Sequence, residues 1–85
     1  GMSMDEKEIY EICMSVDSII ADKLTESIII GTSYDMLEAH YGILPISRRS
    51  FYRRKGTAQR LMRQRMAHLV EEKNGQYMIV WGREE

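Results

Sequence analysis

The sequence predicts a mainly α-helical domain with a small β element near its carboxyl end. Three observations support this fold class. Apolar residues recur at steps of three and four from Ile9 to Leu24, and again after Ser47, as on the buried face of an amphipathic helix. Asn74 and Gly75 then precede an apolar stretch at residues 76–81, which is typical of a turn and a strand.

The amino-terminal segment is predicted to form one acidic amphipathic helix. Ser3 followed by Glu6 is a capping-box pattern at its start. Its apolar stripe consists of Ile9, Ile12, Cys13, Val16, Ile19, Ile20 and Leu24. Its opposite face carries Glu8, Glu11, Asp17 and Asp22. We expect this helix to cover the core and to turn its acidic face away from a polyanion or toward a partner protein.

The next segment contains three consecutive isoleucines, residues 28–30, followed by Gly31. This pattern fits either a short buried strand or the last turn of the first helix. Thr32 or Ser33 can cap a second, short helix over residues 34–41. Gly42 is placed to end that helix in a left-handed conformation. Four aromatic residues are expected to lie in the core: Tyr34, Tyr41, Tyr77 and Trp81.

A longer helix is predicted to begin at Ser47 and to run to about Leu69. Pro45 discourages helix just before it, and Ser47 offers an N-cap. At 100° per residue, a sector of about 100° holds the apolar residues of a buried stripe, namely Phe51, Ala58, Leu61, Met62 and Leu69. A sector of about 140° on the other side holds Arg48, Arg49, Tyr52, Arg53, Arg60 and Arg63.

Gly56 lies in this basic sector, where it destabilises a helix by roughly 1 kcal/mol relative to alanine. The glycine could allow close approach of a phosphate backbone, or it could mark a break with Thr57 capping a separate helix. We favour one continuous or slightly kinked helix.

The carboxyl-terminal segment permits two interpretations. Asn74 and Gly75 could form the turn of a hairpin over residues 68–81. Alternatively, the basic helix ends near Lys73 with Gly75 as its stop. In both cases residues 76–81 have the composition of a strand, which needs a pairing partner.

The charges are strongly segregated along the chain. Residues 1–38 hold nine acids against two lysines, a net charge of −7, and residues 39–70 hold eight cations and no acid. The formal net charge of −1 therefore hides a dipolar molecule, and it is no evidence against a polyanionic partner. A surface meant only for solvent normally mixes its signs.

Length and composition limit the classes of function. A chain of 85 residues forms one domain and is too small for a deep substrate cleft, which disfavours most enzymes. Cys13 is the only cysteine; it cannot form an internal disulfide, and an inert buried thiol in a reducing cytoplasm is expected. His40 and His68 lack further ligands at metal spacing. No cofactor, metal site or membrane-spanning segment is predicted, and Gly1 is expected to be a remnant of tag removal.

Two stretches of the sequence resemble the helix-turn-helix of DNA-binding regulators. Residues 33–42, SYDMLEAHYG, match the first helix, and residues 46–55, ISRRSFYRRK, match a turn that opens a recognition helix. The likeness is to winged-helix domains and to sigma-factor-like phage regulators, and it covers about 25 residues. Residues 43–45 lengthen the turn, and Glu38 stands near a position that is usually small. These departures affect the expected crossing of the two helices.

This resemblance implies a three-helix core with a carboxyl-terminal strand or hairpin, in one domain over residues 1–85. Residues 3–30 would supply the acidic helix and short strand, residues 32–70 the helix-turn-helix, and residues 68–81 the hairpin or strand. The second helix would enter the major groove. The predicted nucleic-acid contacts are Ser47, Arg48, Arg49, Ser50, Tyr52, Arg53, Arg60 and Arg63.

Within this set, Arg48, Arg49 and Arg53 are candidates for contact with guanine. Arg60 and Arg63 lie further along the helix and are better placed for phosphates. The resemblance implies a transcriptional regulator of a phage or mobile element that binds duplex DNA, and the single cysteine is consistent with the cytoplasm. A homodimer is expected because one short helix-turn-helix rarely gives enough affinity and the first helix offers an apolar seam. The alternatives are an RNA-binding module and a protein-interaction domain that docks its basic helix on an acidic partner.

Overall fold

The computed structural model describes the backbone of residues 4–74 and the side chains of residues 4–67. The described residues form four helices: α1 (Glu6–Val16), α2 (Ala21–Ile30), α3 (Tyr34–Tyr41) and α4 (Arg48–Asn74). The prediction of a mainly helical domain is confirmed. The described backbone contains no strand, and the strand predicted at residues 76–81 lies outside it.

The prediction of a single acidic helix is wrong, because the chain breaks between Val16 and Ala21. Asp17 caps α1 in an extended conformation, and its carboxylate accepts a hydrogen bond from the Ile19 amide at 3.0 Å. Ile19, which was expected on the buried stripe, is 76% exposed. The break turns α2 back against α1, so the three-helix core becomes a four-helix one.

The helix termini show how local chemistry sets the boundaries of the first two helices. The capping box at the start of α1 uses Asp5 and Glu8 instead of Ser3 and Glu6: the Glu8 amide donates to the Asp5 carboxylate at 2.9 Å, and the Asp5 amide donates to the Glu8 carboxylate at 3.2 Å. Residues 28–30 form the last turn of α2, not a strand. Gly31 then ends α2 with φ +89°, a left-handed conformation that glycine adopts without strain.

The core lies where α1, α2 and α4 pack together, and α3 contributes Tyr34 and Leu37 to it. Eleven apolar side chains are buried in it: Ile9, Ile12, Cys13, Ile20, Ala21, Leu24, Tyr34, Leu37, Leu44, Phe51 and Ala58. Burial raises the pKa of the Cys13 thiol, which keeps this thiol protonated and agrees with the expectation of an inert cysteine.

One aromatic residue expected in the core is not there. Tyr41, on the last turn of α3, is 55% exposed. Its hydroxyl donates to the Glu26 carboxylate at 2.7 Å, and the Lys23 ammonium lies 4.5 Å from its ring centroid. Tyr41 therefore joins α3 to α2 at the surface, whereas Tyr34 is buried as predicted. The other two predicted core aromatics, Tyr77 and Trp81, lie outside the described residues.

Helix α4 is continuous through Gly56, as favoured from the sequence. Phe51 and Ala58 are fully buried, and Leu61 and Met62 pack partly buried against the core, which confirms the predicted apolar stripe in the described side chains. Helix α4 also includes residues 69–72, which the hairpin interpretation assigned to a strand. That part of the hairpin prediction is wrong. The backbone is helical through Asn74, the last residue that the structure describes, and the predicted stop at Gly75 lies outside the described residues.

Two glycines provide a test of these assignments. No heavy atom lies within 4 Å of a Cβ placed at Gly31 or at Gly56, so alanine meets open space at both positions. Gly56→Ala should raise the free energy of unfolding by about 1 kcal/mol because alanine is the better helix former. Gly31→Ala should lower it by about 1–2 kcal/mol because a Cβ is strained at positive φ.

Urea unfolding followed by circular dichroism would measure both changes. Equal effects of the two substitutions, in either direction, would contradict the continuous helix at Gly56 or the left-handed cap at Gly31.

Candidate nucleic-acid interface

The turn between α3 and α4 is held by the residue that departs from the helix-turn-helix pattern. Gly42 ends α3 with φ +95°. A carboxylate oxygen of Glu38 then accepts a hydrogen bond from the Leu44 amide at 3.0 Å, and the Leu44 side chain is buried in the core. The lengthened turn and the unusual Glu38 are therefore one feature, because the carboxylate satisfies a backbone donor that the extra residues leave outside a helix.

Tyr34 fixes the start of α4 against the start of α3. Its hydroxyl donates to the backbone oxygen of Ile46 at 2.6 Å, and its amide donates to the Tyr52 hydroxyl at 2.9 Å. The Phe51 ring packs edge-on to the Tyr34 ring, with centroids 5.6 Å apart. We call Tyr34, Phe51 and Tyr52 the tyrosine clasp. Tyr52 was predicted to contact nucleic acid, and the structure gives its hydroxyl a role inside the protein while leaving the side chain 40% exposed.

The two predicted serines lie in the first turn of α4. Ser47 is the N-cap, as expected: its hydroxyl accepts a hydrogen bond from the Ser50 amide at 3.2 Å, and its carbonyl accepts one from the Phe51 amide at 2.8 Å. Ser47 is exposed and Ser50 is half-buried.

Three cations of α4 are engaged within the protein. Arg48 donates to the Asp35 carboxylate at 2.6 Å, and this hydrogen bond raises the pKa of the Arg48 guanidinium above its usual value. Arg54 lies 3.0 Å from the Asp17 carboxylate. The Lys55 ammonium lies 5.7 Å from the centroid of the Tyr52 ring, within the range of a cation–π contact.

Four other arginines lie in one band along the exposed side of α4. We call Arg49, Arg53, Arg60 and Arg63 the arginine stripe. All four are exposed, and none takes part in an ion pair among the side chains that the structure describes. At 100° and 1.5 Å per residue they occupy a sector of about 80° and a length of about 21 Å. Gly56 lies inside this sector.

Apart from the two serines, the predicted site residues thus divide into two groups. The stripe brings together Arg49, Arg53, Arg60 and Arg63, whereas Arg48 and Tyr52 make contacts with α3. Arg65 is exposed but lies about 120° from the nearer edge of the stripe sector.

Sequence reasoning missed two acidic residues, Asp17 and Asp35, which hold Arg54 and Arg48. They lie 37 and 13 positions from their partners along the sequence, and no local pattern connects them. Each pair joins α4 to a different part of the chain, so the two partners come together only in the folded protein.

Comparison of the chain with models of protein families, with curated proteins and with solved structures gave no match. None of the described helices is long and apolar enough to cross a bilayer. Among the described residues, no three His, Cys, Asp or Glu side chains are arranged to hold a metal ion. A functional proposal therefore rests on the charges and the helical geometry of α4.

The tyrosine clasp predicts that Tyr52→Phe destabilises the protein by about 1 kcal/mol, because the Tyr34 amide loses its acceptor. Tyr10→Phe is the matched control: Tyr10 is also 40% exposed, and none of the hydrogen bonds of the described residues involves its hydroxyl. Thermal unfolding of the two variants beside the wild type would measure the difference. A loss of the same size in both variants would contradict the clasp.

Proposed function

We propose that the protein binds duplex DNA through the arginine stripe of α4. One observation carries this proposal: Arg48 and Arg54 of α4 each pair with an acid of another part of the protein, whereas the stripe cations are exposed and make no ion pair in the described part of the chain. A one-sign surface of this kind attracts polyanions and favours fast, salt-dependent association.

A surface that serves only solubility would not need the acid-paired arginines of α4 to lie outside the sector of the stripe. Acids are plentiful in the chain, yet none falls between Ala39 and Val70. Among the described side chains, the acids that form ion pairs with α4 are Asp35 and Asp17, and they pair with Arg48 and Arg54, which lie outside the stripe. No acid of the described side chains therefore neutralises the stripe, and like charges exclude the same stripe of a second copy as its partner.

Helix geometry favours duplex DNA over duplex RNA. An α-helix fits the B-form major groove, which is about 12 Å wide. The A-form major groove of RNA is too deep and narrow for side chains to read. The resemblance of residues 33–55 to helix-turn-helix regulators supports the same polymer, with Arg49 and Arg53 near the bases and Arg60 and Arg63 near phosphates.

The regulatory role remains a proposal that rests on this resemblance: a small transcriptional regulator of phage or mobile-element type, acting in the cytoplasm as a homodimer. The structure changes the argument for the dimer. Ile9, Ile12 and Cys13 of α1, which were expected to offer an apolar seam, are buried in the protein's own core. A dimer would have to use another surface.

The proposal predicts a salt-dependent affinity for duplex DNA. Four engaged cations give log K a slope of roughly −3.6 against log salt. Replacing any one stripe arginine by alanine should make this slope less steep by about 0.9. Fluorescence anisotropy with a labelled duplex, titrated at several salt concentrations, would measure both quantities.

Arg65→Ala is the matched control, since it removes the same charge from an exposed position outside the stripe and should change the slope little. Sequence preference adds a second readout: Arg49→Ala should relax it, whereas Arg63→Ala should weaken all sequences alike. The proposal is wrong if the wild type binds no duplex DNA at low salt. Preference for structured RNA, or for an acidic protein with no affinity for nucleic acid, would select one of the alternatives.

A further inference from the structure

We infer that α4 lies along the DNA groove over the whole arginine stripe, with Gly56 as the point of closest approach, instead of entering the groove by its amino-terminal end alone. This inference rests on the proposed function and specifies how the same surface meets its partner. The juxtaposition that supports it is a glycine at the centre of a line of exposed arginines.

Nothing inside the described part of the protein calls for glycine at position 56. Its backbone is helical and lacks the positive φ seen at Gly31 and Gly42. No heavy atom lies within 4 Å of a Cβ placed there, and the residue is exposed. Glycine weakens a helix interior, so its presence in the middle of α4 has no structural benefit in the protein alone. A close contact with a partner would supply the missing reason.

The stripe places its charges on both sides of this glycine. Arg53 and Arg60 lie about 4.5 Å and 6 Å from Gly56 along the helix axis, and Arg49 and Arg63 lie about 10.5 Å away in either direction. The long arginine side chains can extend past the bare backbone at position 56 to reach phosphates or base edges. A larger side chain at that position would hold the helix away from the duplex.

Docking by the end of α4 would leave half of the stripe unused. Arg60 and Arg63 lie about 18 Å and 22 Å beyond Arg48 along the axis, whereas the major groove is only about 8.5 Å deep. A helix laid along the groove brings all four arginines to the duplex at once. Its contact length of about 21 Å corresponds to about six base pairs at 3.4 Å per base pair.

Side-chain size at position 56 tests this geometry independently of charge. Gly56→Ala should bind duplex DNA several-fold more weakly although it stabilises the helix, and Gly56→Leu should bind at least tenfold more weakly. The matched control is Thr57→Leu, which adds apolar bulk one residue along and about 100° around the helix; it should bind like the wild type. Anisotropy would measure affinity, and thermal unfolding would confirm that each variant is folded.

Hydroxyl-radical footprinting of the wild type provides the second measurement. Protection is expected over about six base pairs, the length of duplex that matches the contact length of about 21 Å. If the wild type binds duplex DNA with the expected salt slope but Gly56→Leu binds equally well, the docking along α4 is wrong while the proposed function stands. If the wild type binds no duplex, both are wrong.

Discussion

The packing of Phe51 against Tyr34 is the contact on which the rest of the described structure depends. Phe51 is fully buried in the first turn of α4 and meets the Tyr34 ring edge-on. Together with Ala58, seven residues later, it fixes which side of α4 faces the core. Since a helix has one rotational phase, burying these two residues places the arginine stripe on the outside. The tyrosine clasp thus fixes the direction in which the arginine stripe faces. The buried rings of Tyr34 and Phe51 are not themselves part of that surface.

The sequence was sufficient to predict features that depend on helical periodicity within α4. The apolar stripe and its opposite basic sector follow from residue spacing alone, and Ser47 follows from its capping chemistry. The break between α1 and α2 could not be predicted in this way. The apolar spacing continues through Ile19 and Ile20 without a proline or glycine, so this spacing alone does not show that Asp17 caps α1 or that Ile20 is buried while Ile19 is exposed. Periodicity also could not pair Arg54 with an acid 37 positions away.

Gly56 shows why stability alone does not explain this sequence. An alanine there would meet open space and strengthen α4. Natural proteins stay only modestly stable, and residues that break a local rule without a benefit to the fold concentrate at functional sites. Gly31 and Gly42 differ from Gly56, because their positive φ angles make glycine the residue that the turns require. Position 56 is therefore the one described glycine for which an external partner is the best explanation.

The acidic residues of the first half of the chain acquire a specific role in this arrangement. Asp35, at the start of α3, and Asp17, between α1 and α2, each take one cation of α4. Both pairs join an arginine of α4 to another part of the protein, and neither acid forms an ion pair with the stripe. Surface pairs of this kind add little to stability. They do separate the described arginines of α4 into those that pair with an acid and those that do not. A chain with a net charge of −1 can in this way present a strongly positive line to a polyanion, because the field near a surface depends on where charges lie more than on their sum.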